Sequence, residues 1–342
     1  MPTLDWIGKK KVINHHLDVP YRILQPIEHF NTDTESQNKI IKGDNLAALK
    51  SLLPEYEGKV KCIYIDPPYN TGNEKWVYND NVNSPKIKKW LGEVVGKDGE
   101  DLTRHDKWLC MMYPRLKLAR NLLTDDGVIF ISIDDNEAGN LRKIADEIFG
   151  VENFIAQVIW ERAYSPVNLK KHFSESHDYI LIYSKNIGVT INNGLPRREE
   201  ANLRYSNPDN DSRGAWKSSD LSVGPAIQTN IYEITTPSGR KVMPPSGYSW
   251  RLSEKRLLEF IIDNRIWFGK EGNNVPSIKR FLNEVKNTVT PMTIWKYSDV
   301  GHSQEASQSL KRLFNGKAYF DYPKPVELIK RCIQLYTDEN SI

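Results

Sequence analysis

Apolar positions along the chain repeat in two distinct periods. Residues 60 to 65 (VKCIYI) and 128 to 133 (VIFISI) are short, nearly unbroken apolar runs, the pattern of strands covered on both faces. Each stops abruptly, the first at Asp66-Pro67-Pro68-Tyr69-Asn70-Thr71-Gly72 and the second at Asp134-Asp135-Asn136. Residues 154 to 160 and 178 to 184 predict two more strands, and Lys39 to Lys42 a further one that turns through Gly43-Asp44-Asn45 into a helix carrying Leu46, Ala47, Leu49 and Leu52. Trp108, Met112, Leu116, Ala119 and Leu123 recur every three or four positions, so 104 to 123 is an amphipathic helix adjusted at Pro114. Helices also follow over about 137 to 149 and after Pro323-Lys324-Pro325, where Val326, Leu328, Ile329, Cys332, Leu335 and Tyr336 share a face. Strands alternating with helices predict an α/β fold with a mostly parallel sheet.

Between about 190 and 300 the pattern dissolves into turns and isolated aromatics, which marks a second domain, as 342 residues would require. That segment holds 16 basic against 12 acidic residues, a net +4, so the rest of the chain carries -1 of the overall +3. Eleven aromatics, among them Trp216, Trp250, Trp267 and Trp295, are interleaved there. Basic and stacking residues together suit nucleic acid, although an aromatic core under a solvated face reads the same. Residues 1 to 35 read as an arm, and the polar stretch from 73 to about 103 as a mobile loop over a site. Three scattered cysteines and seven dispersed histidines give neither a disulfide framework nor metal-ligand spacing. With mean hydropathy of -0.57, no run of 18 apolar residues and a polar stretch after Lys9 to Lys11, the composition predicts a cytoplasmic protein without a signal or membrane span.

The chemistry concentrates at Asp66-Pro67-Pro68-Tyr69. Ligands of open α/β sheets bind at the carboxyl ends of strands, which is where this turn falls. A planar base whose amino lone pair is delocalised needs acceptors to become nucleophilic. Asp66 and the Pro67 carbonyl could supply them, with Tyr69 stacking on a base taken out of its helix. Methyl transfer suits such a site, since it needs alignment more than a strong base.

This segment resembles the catalytic motif of β-class amino-group DNA methyltransferases, and other stretches agree in order. Trp6-Ile7-Gly8-Lys9, Gly43-Asp44-Asn45-Leu46, Met112 to Arg115, Gly127 to Glu137, His177-Asp178-Tyr179, Gly301-His302 to Ala306 and Phe320 to Arg331 are similar to modification subunits of type III restriction systems. The resemblance implies a Rossmann-like methyltransferase sheet with an inserted α+β target recognition domain, divided as arm 1–35, catalytic half 36–189, recognition domain 190–300 and the start of the cofactor half at 301–342. It implies S-adenosylmethionine as cofactor, double-stranded DNA as substrate and adenine N6 as target, because aspartate stands first in the motif. Catalytic residues by this reading are Asp66, Pro67, Pro68 and Tyr69. Asp44, Asn45 and Lys324 are cofactor contacts, with a helix cap as the alternative for Asp44; strand-end caps are preferred for Asp134 and Asp135, a core or turn role for His177, and Trp76 and Tyr78 face either the base or their own loop. A homodimer, a restriction subunit and a second chain are the expected partners. The family's Phe-x-Gly-x-Gly cofactor turn is absent, since no G-x-G occurs in the sequence. The expectation is therefore a truncated chain, inactive alone, with the edge of the 60 to 65 strand left open; the alternative is a non-catalytic DNA-binding or interaction fragment.

Overall fold

The structure, a computed structural model, describes residues 3–28, 38–72, 85–94, 103–319 and 322–342. Contacts divide the chain into two compact units, Met1–Gly194 with Thr290–Ile342, and Leu195–Val289. The first unit is built on strands β1 (Val60–Ile65), β2 (Leu123–Ile133), β3 (Phe154–Glu161) and β4 (His177–Ser184). Their order is β1-β2-β4-β3, extended by Ile294–Trp295. β1 and β2 are parallel, as are β3 and Ile294–Trp295, whereas β4 runs antiparallel to both β2 and β3. The sheet is thus mixed, not mostly parallel. Only residues 162 to 176 separate β3 from β4, and with no helix to carry a crossover the chain returns as a hairpin.

The arm forms two short helices, α1 (Lys9–Val12) and α2 (His15–Asp18). It is docked: Val12 is fully buried, and the Trp6 indole donates to Cys110 Sγ at 3.3 Å. Next come α3 (Asn45–Tyr56), α4 (Pro85–Val94), α5 (Arg104–Leu122) and α6 (Ala138–Phe149). α4 was not expected within the polar stretch from 73 to about 103, of which 73–84 and 95–102 lie outside the described residues. Thr103 and Asp106 cap α5 reciprocally. Eleven of its residues, Pro114 among them, are buried, so the expected helix is present but is buried over more than one apolar face.

Lys39 to Lys42 form no strand, and Ile40 is 88% exposed. An extended segment without a neighbouring ladder has nothing to satisfy its backbone, so apolar pattern alone does not make it a strand. β1 is half-buried along its whole length instead of covered on both faces, because it lies at the sheet edge. On its outer side Lys61 N and Cys62 N donate to the Ile342 carbonyl at 2.7 and 3.2 Å.

The second unit pairs Trp216–Asp220 and Ile266–Trp267 with Ser277–Phe281, all antiparallel, beside helix α7 (Glu254–Ile262). Its core collects Leu221, Ile234, Val242, Trp250, Leu257, Ile266, Phe268 and Ile278. Trp216 and Trp250 are buried, so aromatics that could have stacked on bases are interior packing. Lys279, fully buried, donates to Asp209 and to Asp211, the latter at 3.2 Å.

The chain then returns to the first unit through α8 (Tyr297–Val300), α9 (Ser303–Leu313) and α10 (Val326–Tyr336). Among the described residues no helix is long and apolar enough to cross a membrane.

Candidate active site

Asp66 ends β1, and the turn behind it is clamped by two helices. Pro67 and Pro68 cannot extend a ladder, and the Pro68 carbonyl instead accepts from the indole of buried Trp108 on α5 at 2.6 Å. Asn70 is fully buried at φ 60° and donates its side-chain amide to Glu137, and to the Arg104 carbonyl at 3.3 Å. Gly72 also has positive φ, and a Cβ there would lie 2.8 Å from Arg104 Nη1. Glu137, whose side chain is fully buried at the start of α6, further pairs with His105 Nδ1 at 2.7 Å and accepts from Asn140 at 2.7 Å. The left-handed turn is therefore fixed from α5 and α6 together.

Lys324, 258 positions away in sequence, meets the turn. Its Nζ lies 2.8 Å from both Asp66 carboxylate oxygens and 4.9 Å from the centroid of the Tyr69 ring. The ammonium thus sits between the carboxylate and the ring face. Burial, helped by the Asp66 charge, pushes the Tyr69 hydroxyl well above its ordinary pKa, so Tyr69 is a neutral ring. The Lys324 segment is held at this edge by close packing. Gly301, at φ 76°, has no room for a Cβ, which would lie 2.9 Å from Pro325 Cβ, and its carbonyl accepts from the Trp160 indole at 3.0 Å at the end of β3.

Because β4 enters at this same edge, it adds one acidic group. Asp178 is buried and binds Arg162 Nε at 2.7 Å. Desolvation pushes its carboxyl up to about 6, against the pull of Arg162 and Lys324 and with a small push from Asp134. A carboxyl whose pKa is higher folded than unfolded takes up a proton on folding. Its contribution favours the fold below about pH 4 and is lost as pH rises through about 6, a change of roughly 2–3 kcal/mol. Asp178→Asn should flatten this part of the stability curve. Urea midpoints at about pH 4.5 and about pH 7.5 check it, and equal pH slopes in both proteins would remove the assignment.

Asp134 and Asp135 serve the rim. Asp134 accepts from the Asn136 amide at 2.9 Å, and its carbonyl accepts from Ala138, so it shapes the entry to α6. Asp135 accepts from the Tyr179 hydroxyl at 2.9 Å, and His177 Nε2 lies 3.1 Å from that hydroxyl. Of the expected cofactor contacts, only Lys324 is brought to Asp66. Asp44 caps α3, accepting from Ala47 N at 3.0 Å, and Asn45 accepts from Arg115 Nε at 2.8 Å. Trp76 and Tyr78 lie outside the described residues. Trp108, Glu137 and Arg162 were not expected as site residues. The signal for Glu137 was available: a carboxylate at a strand-to-helix junction beside an Asn-rich turn.

The site thus joins an acidic, proline-locked turn at a strand end of a mixed α/β sheet to a cation seated beside it. The sequence matches the DNA methylase family over residues 60–342, and the chain belongs to that family. It is 37% identical over 329 residues to the type II methyltransferase M.KpnI of Klebsiella pneumoniae, covering 87% of this chain and 71% of that one. It is 32% identical over 354 residues to the StyLTI Mod subunit, a type III restriction-modification enzyme of Salmonella typhimurium, covering 99% of this chain and 53% of the relative. The EcoP15I Mod subunit of Escherichia coli is 30% identical over 397 residues, with 99% and 59% covered. The chain spans just over half the length of these Mod subunits.

Proposed function

We propose that the chain transfers a methyl group from S-adenosylmethionine to adenine N6 in double-stranded DNA, as part of a type III modification enzyme. The observation that carries this reading is the Lys324 ammonium seated between the Asp66 carboxylate and the Tyr69 ring. A site that holds one N–H donor this way, with both carboxylate oxygens turned to it, suits the exocyclic amine of a flipped base. Asp66 would accept a hydrogen bond from the amino group, keeping electron density on nitrogen as the methyl–sulfur bond breaks and the methyl–nitrogen bond forms with loss of one proton, and Tyr69 would stack on the ring. The clamp from Trp108 and Glu137 holds both in register.

Lys324 already grips a carboxylate with one ammonium, which is the chemistry needed for the amino-acid end of the methyl donor. When bound, the donor supplies an electrophilic methyl. Lys324 must leave Asp66 before an amine can replace it, and the donor's carboxylate offers an alternative partner. The Leu195–Val289 unit is read as the target recognition domain, and the similarity to Mod subunits supports a restriction subunit as partner.

Incubating the protein, together with a chain that supplies the Phe-x-Gly-x-Gly cofactor turn it lacks, with isotopically labelled S-adenosylmethionine and unmethylated genomic DNA, then digesting to nucleosides, tests the proposal. Label in N6-methyladenine is expected. Label in N4-methylcytosine would overturn the base assignment, and none in DNA would overturn the activity.

A further inference from the structure

The fifteen-residue connection 162 to 176 joins β3 to β4 and meets the site through Arg162. Its foot is fixed: Arg162 N and Ala163 N donate to the Ser176 carbonyl at 3.0 and 3.1 Å, and Arg162 is paired with Asp178. Tyr164 packs on Tyr297 and His302 with ring centroids 5.3 and 5.2 Å away. Beyond this foot every residue from 164 to 173 is exposed. Leu169 is 97% exposed and Phe173 87%, with Lys170, Lys171 and His172 between them. Two bare apolar side chains bracketing three basic ones on a braced loop are not packing for this unit.

The hairpin leaves the same sheet edge as Asp66. β4 lies two strands from β1, and at about 4.8 Å per strand their ends are about 10 Å apart, the rise of about three stacked bases. A duplex held with one base at Asp66 therefore passes within reach of the loop. Taking a base out leaves a gap in the stack, and proteins that distort duplexes fill or force such gaps with apolar wedges. Lys171 matches a phosphate on one side, and Lys170, whose partner Glu175 at 3.0 Å is an exposed ion pair that a phosphate can displace, matches one on the other.

We propose that residues 164 to 173 form a duplex-entering wedge in which Phe173 fills the stack opened beside the target base while Lys170 and Lys171 hold the flanking phosphates. This rests on the DNA methyltransferase reading above. The binding test needs no methyl transfer, using fluorescence anisotropy of the full chain with a mixed-sequence duplex and the same duplex carrying one central mismatch. A mismatch lowers the cost of opening the stack, so the unmutated protein should bind the mismatched duplex about tenfold tighter. Phe173→Ala, at a solvent-facing position, should bind both alike to within about twofold, losing the preference and not the affinity for intact duplex. The Lys170→Ala/Lys171→Ala pair should weaken both duplexes equally and lower the salt slope by about 2. Retention of the mismatch preference in Phe173→Ala, its absence in the unmutated protein, or a change of oligomeric state as the only effect of Phe173→Ala would each overturn the wedge. Failure of the unmutated protein to bind any duplex would bring down the DNA reading itself, and is separately visible.

Discussion

Asp66→Ala is expected to lower methyl transfer at least about 10³-fold while duplex affinity stays within about twofold. Removing one preorganised polar partner from a reacting centre commonly costs 10²–10³, and this change removes both carboxylate oxygens that now hold the Lys324 ammonium. The loss should fall on the turnover rate and not on KM for DNA, because the interaction counts most as nitrogen develops charge. Unfolding is a poor explanation of such a loss. The Asp66 side chain is 37% exposed, and ion pairs of that kind contribute about 1 kcal/mol or less, so the melting temperature should move by only a few degrees. Asp66→Asn retains one acceptor and should fall between the two. Activity of Asp66→Ala within about tenfold of the parent would show that this carboxylate does not hold the amine.

How much of this site could be read from sequence depends on how far apart its parts lie. Asp66 to Tyr69 was legible because an apolar run ending in two prolines is a local signal of a strand stop, and the strand end is where α/β sheets bind ligands. The α6 and α10 helices were legible for a similar reason, since 3.6-residue periodicity is local. Strand direction was not, because β4 is antiparallel only through the absence of a helix between residues 162 and 176, while its apolar run looks like any buried strand. Lys39 to Lys42 mimic a strand by composition, but strand formation depends on a partner that sequence does not display. The encounter of Lys324 with Asp66 spans 258 positions and is created by the sheet, not by any local pattern. The tryptophans illustrate an ambiguity of another kind: side chains suited to stacking on a base are equally suited to filling a core, and Trp216 and Trp250 do the latter.

Glu137→Ala should be the most destabilising single change near the site, by about 3–5 kcal/mol, because it strips three polar partners of a carboxylate that has no exposed surface. Asn70 cannot recover the loss by turning to water, since it is fully buried and held at φ 60° by the turn. His105 and Asn140 reach solvent more easily and would re-pair at little cost, which places most of the penalty on the Asn70 turn. For a unit of this size the melting temperature should fall by roughly 10 °C. Glu137→Gln keeps the volume and one acceptor but sets an amide N–H against donors, so about half the loss is expected. Methyl transfer should fall in both variants even at temperatures where they remain folded, because Asn70 fixes the direction in which Tyr69 and Asp66 leave β1. Far-ultraviolet circular dichroism melts combined with activity measured well below each midpoint separate the two effects. A Glu137→Ala protein that melts within a degree or two of the parent would show that the turn is held by the Trp108–Pro68 contact alone.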